Sequence, residues 1–372
     1  MLRVITVFLM SCLAACDRPE PDTQSGAASV PLNKQMGAEP AAGFTRAVEP
    51  RDLVFPRDHG AHAAYATEWW YFTGNLYTPD KRRFGYQLTL FRVGLEPGRP
   101  ADDSEWRANQ LYMGHLAISD IEQRQHHSSE RFSRSAAGLA GAQDQPLMVW
   151  LGPWSIRGGE ARLFPIQLAA STPEMEITLS LQAGSKGLVL QGEQGLSRKG
   201  AEPGNASYYY SYTRLPTRGE IRVGRQRFAV KGTSWFDREW SSSALAADQA
   251  GWDWFALQLD DGRDLMFYRM RDKQGQAQKF SSGILIGPDG SKTPLVPEKV
   301  DLRPTRLWKS PREISYPVAW RMRVPDHDLD LRIEAAFDEQ EMPLTVKYWE
   351  GAVNVSGSQS GVGYLELSGY SQ

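Results

Sequence analysis

The run Trp235-Phe236-Asp237-Arg238-Glu239-Trp240 sets an aspartate among bulky aromatic side chains. A carboxyl buried against such groups is pushed toward its neutral form, and a neutral carboxyl can donate a proton. Asp237 could equally cap a turn or pair with Arg238 or another arginine, because structural ion pairs also gather carboxylates. Upstream, His59, His62 and Glu68 lie close together. A His-x-x-His pair without a third fixed ligand is an incomplete zinc set, so no metal is expected. In Tyr208-Tyr209-Tyr210-Ser211-Tyr212 a strand would put Tyr208, Tyr210 and Tyr212 on one face, to fill a core or line a pocket.

Several chemistries are excluded. The two cysteines, Cys12 and Cys16, both lie at the extreme N-terminus, so the folded part has no thiol nucleophile and no disulfide. There is no Gly-x-Ser-x-Gly elbow, no phosphate loop and no Gly-x-Gly-x-x-Gly dinucleotide fingerprint. With 42 Lys+Arg against 44 Asp+Glu, the chain lacks the basic excess of a nucleic-acid binder. A mean hydropathy of -0.47 excludes a polytopic membrane protein.

The elements that must position these residues read as β-strands. Among 372 residues, 34 Gly and 23 Pro supply many turns, and 11% aromatics with 12 Trp favour strands over helices. Short alternating runs such as Tyr86 to Val93, Trp254 to Leu259 and Leu329 to Ala335 are separated by turn signals such as Asp260-Asp261-Gly262. Trp69 to Leu76 is echoed by Trp252 to Leu259. In both places a turn carrying Asp and Arg follows, then a second and a third strand. The echo predicts a duplicated β domain with a break near Leu215-Pro216-Thr217-Arg218-Gly219. Each half suits an up-and-down antiparallel barrel with room inside for one ligand.

The N-terminus reads as an address. A positive start is followed by a twelve-residue apolar run, too short to span a membrane, ending in Leu13-Ala14-Ala15-Cys16. This resembles a bacterial lipobox, which makes 1–15 a lipoprotein signal peptide and Cys16 the acylated anchor. Asp17 resembles the signal for retention on the inner membrane, so the expected location is the periplasmic face. Residues 16–43 form a flexible tether of Pro, Gly, Ala, Ser and Gln. The barrels are then expected over 44–216 and 217–372.

Six segments carry a wider resemblance. They are His59-Gly60-Ala61-His62, Thr67 to Leu76, Phe84 to Thr89, Gly204 to Ser211, Ser234 to Trp240 and Tyr348-Trp349-Glu350-Gly351. Together, from about Val54 to Tyr370, they resemble the AttH and carotenoid 1,2-hydratase-like proteins. The resemblance implies an all-β fold of two tandem lipocalin-like antiparallel barrels. One branch of that family adds water across an alkene of an acyclic carotenoid and needs no nicotinamide, flavin or metal. Other members are predicted secreted hydrolases or lipoproteins encoded near an ABC exporter.

The resemblance implies Asp237 as the acid, with Trp235, Trp240 and Tyr210 around a carbocation held by their faces. It also implies His62, Glu68 and Trp70 at the mouth of the first barrel. The expected function is a lipid-anchored periplasmic protein that binds a hydrophobic isoprenoid, carotenoid or lipid and hydrates an alkene through Asp237. The alternative is a non-catalytic accessory or carrier working with ABC transporter subunits. Two positions depart from the pattern of catalytic members: Arg238 stands where a histidine is usual and Ser241 where a glycine is usual. The charge of Arg238 is expected to lower the pKa of Asp237 and weaken it as an acid.

Overall fold

The computed structural model describes residues 42–98, 108–243 and 245–370. The signal segment 1–15, Cys16, Asp17 and nearly all of the tether lie outside these residues.

The described chain is all-β, in two curled antiparallel sheets, one a nearly closed barrel and the other a half-barrel. Turn chemistry sets the reversals. The hairpin between Gln249–Leu259 and Asp264–Asp272 closes with Leu259 N–H on Arg263 O at 2.9 Å, and Gly262 takes the positive φ of 89° that this turn requires. The main path of the first sheet runs Gln125–Arg134, Gln110–Asp120, Arg83–Gly94, Thr67–Tyr77, Gln226–Ser241, Ala206–Val223, Met175–Leu181, Ile166–Ser171, Trp154–Arg157, Leu147–Leu151, Ala140–Asp144. That of the second runs Lys292–Leu295, Ser282–Ile286, Asp264–Asp272, Gln249–Leu259, Gly361–Ser368, Lys347–Gly357, Leu329–Ala335, Ser315–Val324, Asp301–Lys309.

The two orders share one topology. In each sheet the first strand pairs with the second on one side and with the last strand on the other. The first sheet has an additional hairpin, Ala140–Asp144 with Leu147–Leu151, whose Leu151 returns against Gly114 and curls the sheet toward closure. The division expected at Pro216 needs correction. Pro216 lies inside the continuous strand Ala206–Val223, and the next strand, Gln226–Ser241, still belongs to the first sheet. The chain crosses to the second sheet only after Ser241. Pro216 is tolerated because the strand has a bulge between Tyr212 and Leu215, next to it.

Side chains fill the first barrel. Trp70, Phe72, Leu88, Trp154 and Phe236 are all buried in its interior, so the space expected there for a ligand is occupied. The two sheets instead pack through their outer faces. Tyr71, Tyr209 and Trp235 from the first meet Trp254, Tyr268, Met270 and Tyr364 from the second. At Gly85 the approach is close: a Cβ there would stand 2.7 Å from Tyr364 Oη and 2.9 Å from Ala352 Cβ. Gly85→Val should therefore destabilise the protein by about 1–3 kcal/mol through overpacking. Thermal denaturation checks this, and an unchanged melting temperature would mean that the sheets are not held at this separation.

Candidate functional site

Successive side chains of a strand point to opposite faces, and this alternation divides the aromatic run in two. Trp235, Asp237 and Glu239 face the second sheet, whereas Phe236, Arg238 and Trp240 face the barrel interior. The same alternation sends Tyr209 and Ser211 outward on the neighbouring strand, and Tyr208 and Tyr210 inward.

Between the sheets lies a cavity of about 140 Å³ whose lining includes Tyr71, Tyr209, Asp237, Trp254, Tyr268 and Glu350. Several lining residues are only half-buried, among them Thr67, Trp69, Leu245 and Trp252, and they open the cavity to the surface. Asp237 is the acid among these aromatic walls. Its Oδ1 accepts hydrogen bonds from Ser211 Oγ at 2.5 Å and Trp235 Nε1 at 2.7 Å, and its Oδ2 accepts from Tyr209 Oη. Tyr209 Oη is in turn approached by Trp254 Nε1 at 3.2 Å from the second sheet. Burial pushes the Asp237 carboxyl up to about 7, helped by the nearby Glu239 charge and opposed by the three hydrogen bonds. Glu239 has its own partners, Lys199 Nζ at 3.3 Å and the Ser207 hydroxyl.

Glu350 and Glu366 lie opposite, as direct cross-strand neighbours on the second sheet. Glu350 Oε1 accepts from Tyr71 Oη at 2.5 Å, and Glu366 Oε1 accepts from Trp252 Nε1 at 3.0 Å. Burial raises both, with Glu366 reaching about 8, and the Glu366 charge lifts Glu350 further. Three carboxyls thus face one aromatic chamber with raised affinity for protons, an arrangement suited to proton transfer onto and off an apolar molecule.

The remaining expected site residues lie on the other face of the first sheet, inside the barrel end. Glu68 takes Arg92 on Oε1 and Arg238 on Oε2. His62 bridges two carboxylates, with Nδ1 3.1 Å from Glu68 Oε2 and Nε2 3.2 Å from Asp58 Oδ1. Its ring stacks on Trp240 at 4.0 Å, and the Arg238 guanidinium lies 4.0 Å over Trp70. Tyr210 Oη is 2.6 Å from His59 Nδ1. Burial works to raise Glu68, yet Arg92 and Arg238 hold its carboxyl well below the usual range.

Three corrections follow. His62, Glu68 and Trp70 form a packed ionic plug. Tyr210 and Trp240 belong to that cluster and stand away from Asp237. Arg238 faces the opposite side of the sheet and does not depress Asp237, whose proton affinity is raised. Ser241, the second departure, lines the chamber and donates from Oγ to Ala206 O at 2.7 Å. Of the rings expected around the acid, Trp235 alone is beside it.

Glu350, Glu366, Tyr209 and Tyr71 were not singled out as site residues from sequence. The signal was present: Tyr348-Trp349-Glu350-Gly351 and Tyr364-Leu365-Glu366-Leu367 each put a carboxylate in the middle of an apolar strand, as the Asp237 run does. Among the described residues, no group of three or more His, Cys, Asp or Glu side chains is arranged to hold a metal ion.

The sequence profile of the AttH-like family matches residues 46–370. An AttH protein from Nitrosomonas europaea, known from a crystal structure, is 33% identical and superposes with a TM-score of 0.79, over 88% of this chain and 100% of that one. Kievitone hydratase from Nectria haematococca is 16% identical, with a TM-score of 0.62 over 89% of this chain and 98% of that one. No curated protein matches the chain.

Proposed function

The chain belongs to the AttH-like family, and from its chamber of carboxyls and aromatic rings we propose that it is a hydratase acting on an apolar alkene, with Asp237 as the acid. The observation that carries this is the Asp237 carboxyl, buried among aromatic rings and raised to about 7. A kievitone hydratase of the same fold supports the reaction class.

Asp237 gives its proton to one alkene carbon, and the π pair forms the new C–H bond. Positive charge develops on the neighbouring, more substituted carbon, against the faces of Trp254, Tyr209 and Tyr71 and the adjacent carboxyls. Water adds through an oxygen lone pair, and its proton returns to the Asp237 carboxylate. The acid is thereby restored, and no other reactant is consumed.

The size of the chamber bears on the substrate. A 150 Å³ engineered cavity takes one benzene ring, so about 140 Å³ suits the reactive end of a longer apolar molecule, the rest remaining in the mouth. This favours an enzyme working on a chain end over a carrier that encloses a whole lipid, for which several hundred Å³ would be needed. Anchoring through acylated Cys16 rests on the leader sequence and would hold the mouth near alkenes dissolved in a membrane.

The test is incubation of the purified protein with myrcene, a short isoprenoid, lycopene, a long one, and geraniol, a short one that bears a hydroxyl, in ¹⁸O-labelled water. A tertiary alcohol carrying the label is expected from at least one of them. No labelled alcohol above the protein-free control from any of the three would overturn the reading.

A further inference from the structure

Two buried polar atoms of the chamber lining have no hydrogen-bond partner, one on His115 and one on Glu350. Across the first sheet Asp237 pairs with Tyr71, Tyr71 with Thr89, and Thr89 with His115, all lining the chamber. Three strand spacings of ~4.8 Å put the His115 backbone about 14 Å from that of Asp237. His115 is 1% exposed. Its Nδ1 is engaged by Tyr348 Oη at 2.8 Å, and its Nε2 has no hydrogen-bond partner.

Glu350 enters from the second sheet and is also 1% exposed. Its Oε1 is taken by Tyr71, and its Oε2 has none. Tyr348 joins the two residues. Its ring stacks on His115 at 5.7 Å, and its hydroxyl, bonded to His115, also hydrogen-bonds the Glu350 carboxyl group. Around them the lining is apolar: Phe91, Met113 and Val346.

A buried polar atom without a partner costs about 1–3 kcal/mol. A hydroxyl group donates one hydrogen bond and accepts another, and neutral imidazole can serve in either role.

We infer that His115 and Glu350 form a station for one hydroxyl group, so that the substrate is an amphiphilic alkene whose alcohol or phenol docks there while its alkene reaches Asp237. This rests on reading the chamber as the substrate site. The same chemistry has a second source, a bound water, and the experiment separates the two.

Phenol and toluene are rings of nearly equal size, small enough for the chamber, that differ in the hydroxyl. Their binding to the whole protein is measured by calorimetry for wild type, His115→Phe, Glu350→Leu and Asp237→Asn. Wild type should favour phenol over toluene by tenfold or more, although phenol is the better hydrated in water. Either station variant should cut that ratio at least tenfold, and Asp237→Asn should preserve it. Two independent variants are used so that one failing to fold leaves the other.

A wild-type ratio near one, with station variants that turn myrcene into an isomerised alkene instead of an alcohol, would assign the hydroxyl to water. A ratio and a product distribution that both ignore His115 and Glu350, or a phenol preference lost only in Asp237→Asn, would overturn the station. If wild type hydrates no alkene yet keeps a station-dependent phenol preference, the hydratase reading falls and the station stands.

Discussion

Replacing Asp237 with asparagine is expected to lower the proposed alkene hydration by about 10²–10⁴-fold, the usual contribution of a positioned general acid, while the protein should stay folded and still bind apolar rings. Asparagine keeps the shape of the side chain, and its Oδ1 can accept from Ser211 and Trp235 as the carboxylate does. The wild-type pH profile should report the same group. With the carboxyl near 7, kcat/KM is level at lower pH and falls about tenfold per pH unit above 7, as the proton to be donated is lost.

Stability follows the same titration. The folded-state value lies above the ordinary 3.8, so the favourable contribution is full below about 4 and disappears as pH rises through 7. At pH 8 the ionised aspartate costs on the order of 4 kcal/mol from a shift of about three units, a cost the asparagine variant escapes. Asp237→Asn should therefore melt at a higher temperature than wild type at pH 8, with no such gain at pH 4. Wild-type turnover in the variant would sink the assignment, and a melting difference independent of pH would sink the raised carboxyl.

Strand alternation explains both what could be read from sequence and what was misread. The echo of Trp69 to Leu76 in Trp252 to Leu259 announced two sheets of one design, and the shared strand order bears it out. The echo points to a break near Pro216 because a division there leaves two halves of similar size. Here a bulge absorbs the proline, and the hairpin partner Gln226–Ser241 is needed to pair with Thr67–Tyr77. Asp237 could be found because a carboxylate between tryptophans stands out in any linear reading. Its neighbours could not be assigned by proximity, since Arg238 and Trp240 differ from it by odd numbers of residues and so face the other way. Applied strictly, the period of two would have paired Asp237 with Trp235 and Glu239. The far wall was harder: that Glu350 meets Tyr71 depends on how two sheets dock, which no local pattern encodes.

That separation of faces is itself testable at Glu68. Its carboxylate is the shared counter-charge of Arg92 and Arg238, and all three side chains are 0% exposed. Removing one member of a buried ionic cluster leaves the others uncompensated, at a cost of about 3–5 kcal/mol. Glu68→Ala should therefore lose that much in denaturant unfolding. Glu68→Gln, which keeps hydrogen-bonding atoms without the charge, should lose less and remain measurable if the alanine variant does not fold. Because Arg92 and Arg238 hold the Glu68 carboxyl well below its ordinary 4.5, the network adds stability above that pH and loses it as pH falls further. The difference between wild type and Glu68→Gln should accordingly shrink in acid. Arg238→His weakens the same cluster, so it too should lower the melting temperature. It should leave the pH limb near 7 where it is, because the sheet stands between residue 238 and the Asp237 carboxyl. A limb displaced by a full unit would mean that the charge on one face is felt on the other, and would restore Arg238 as a regulator of the acid.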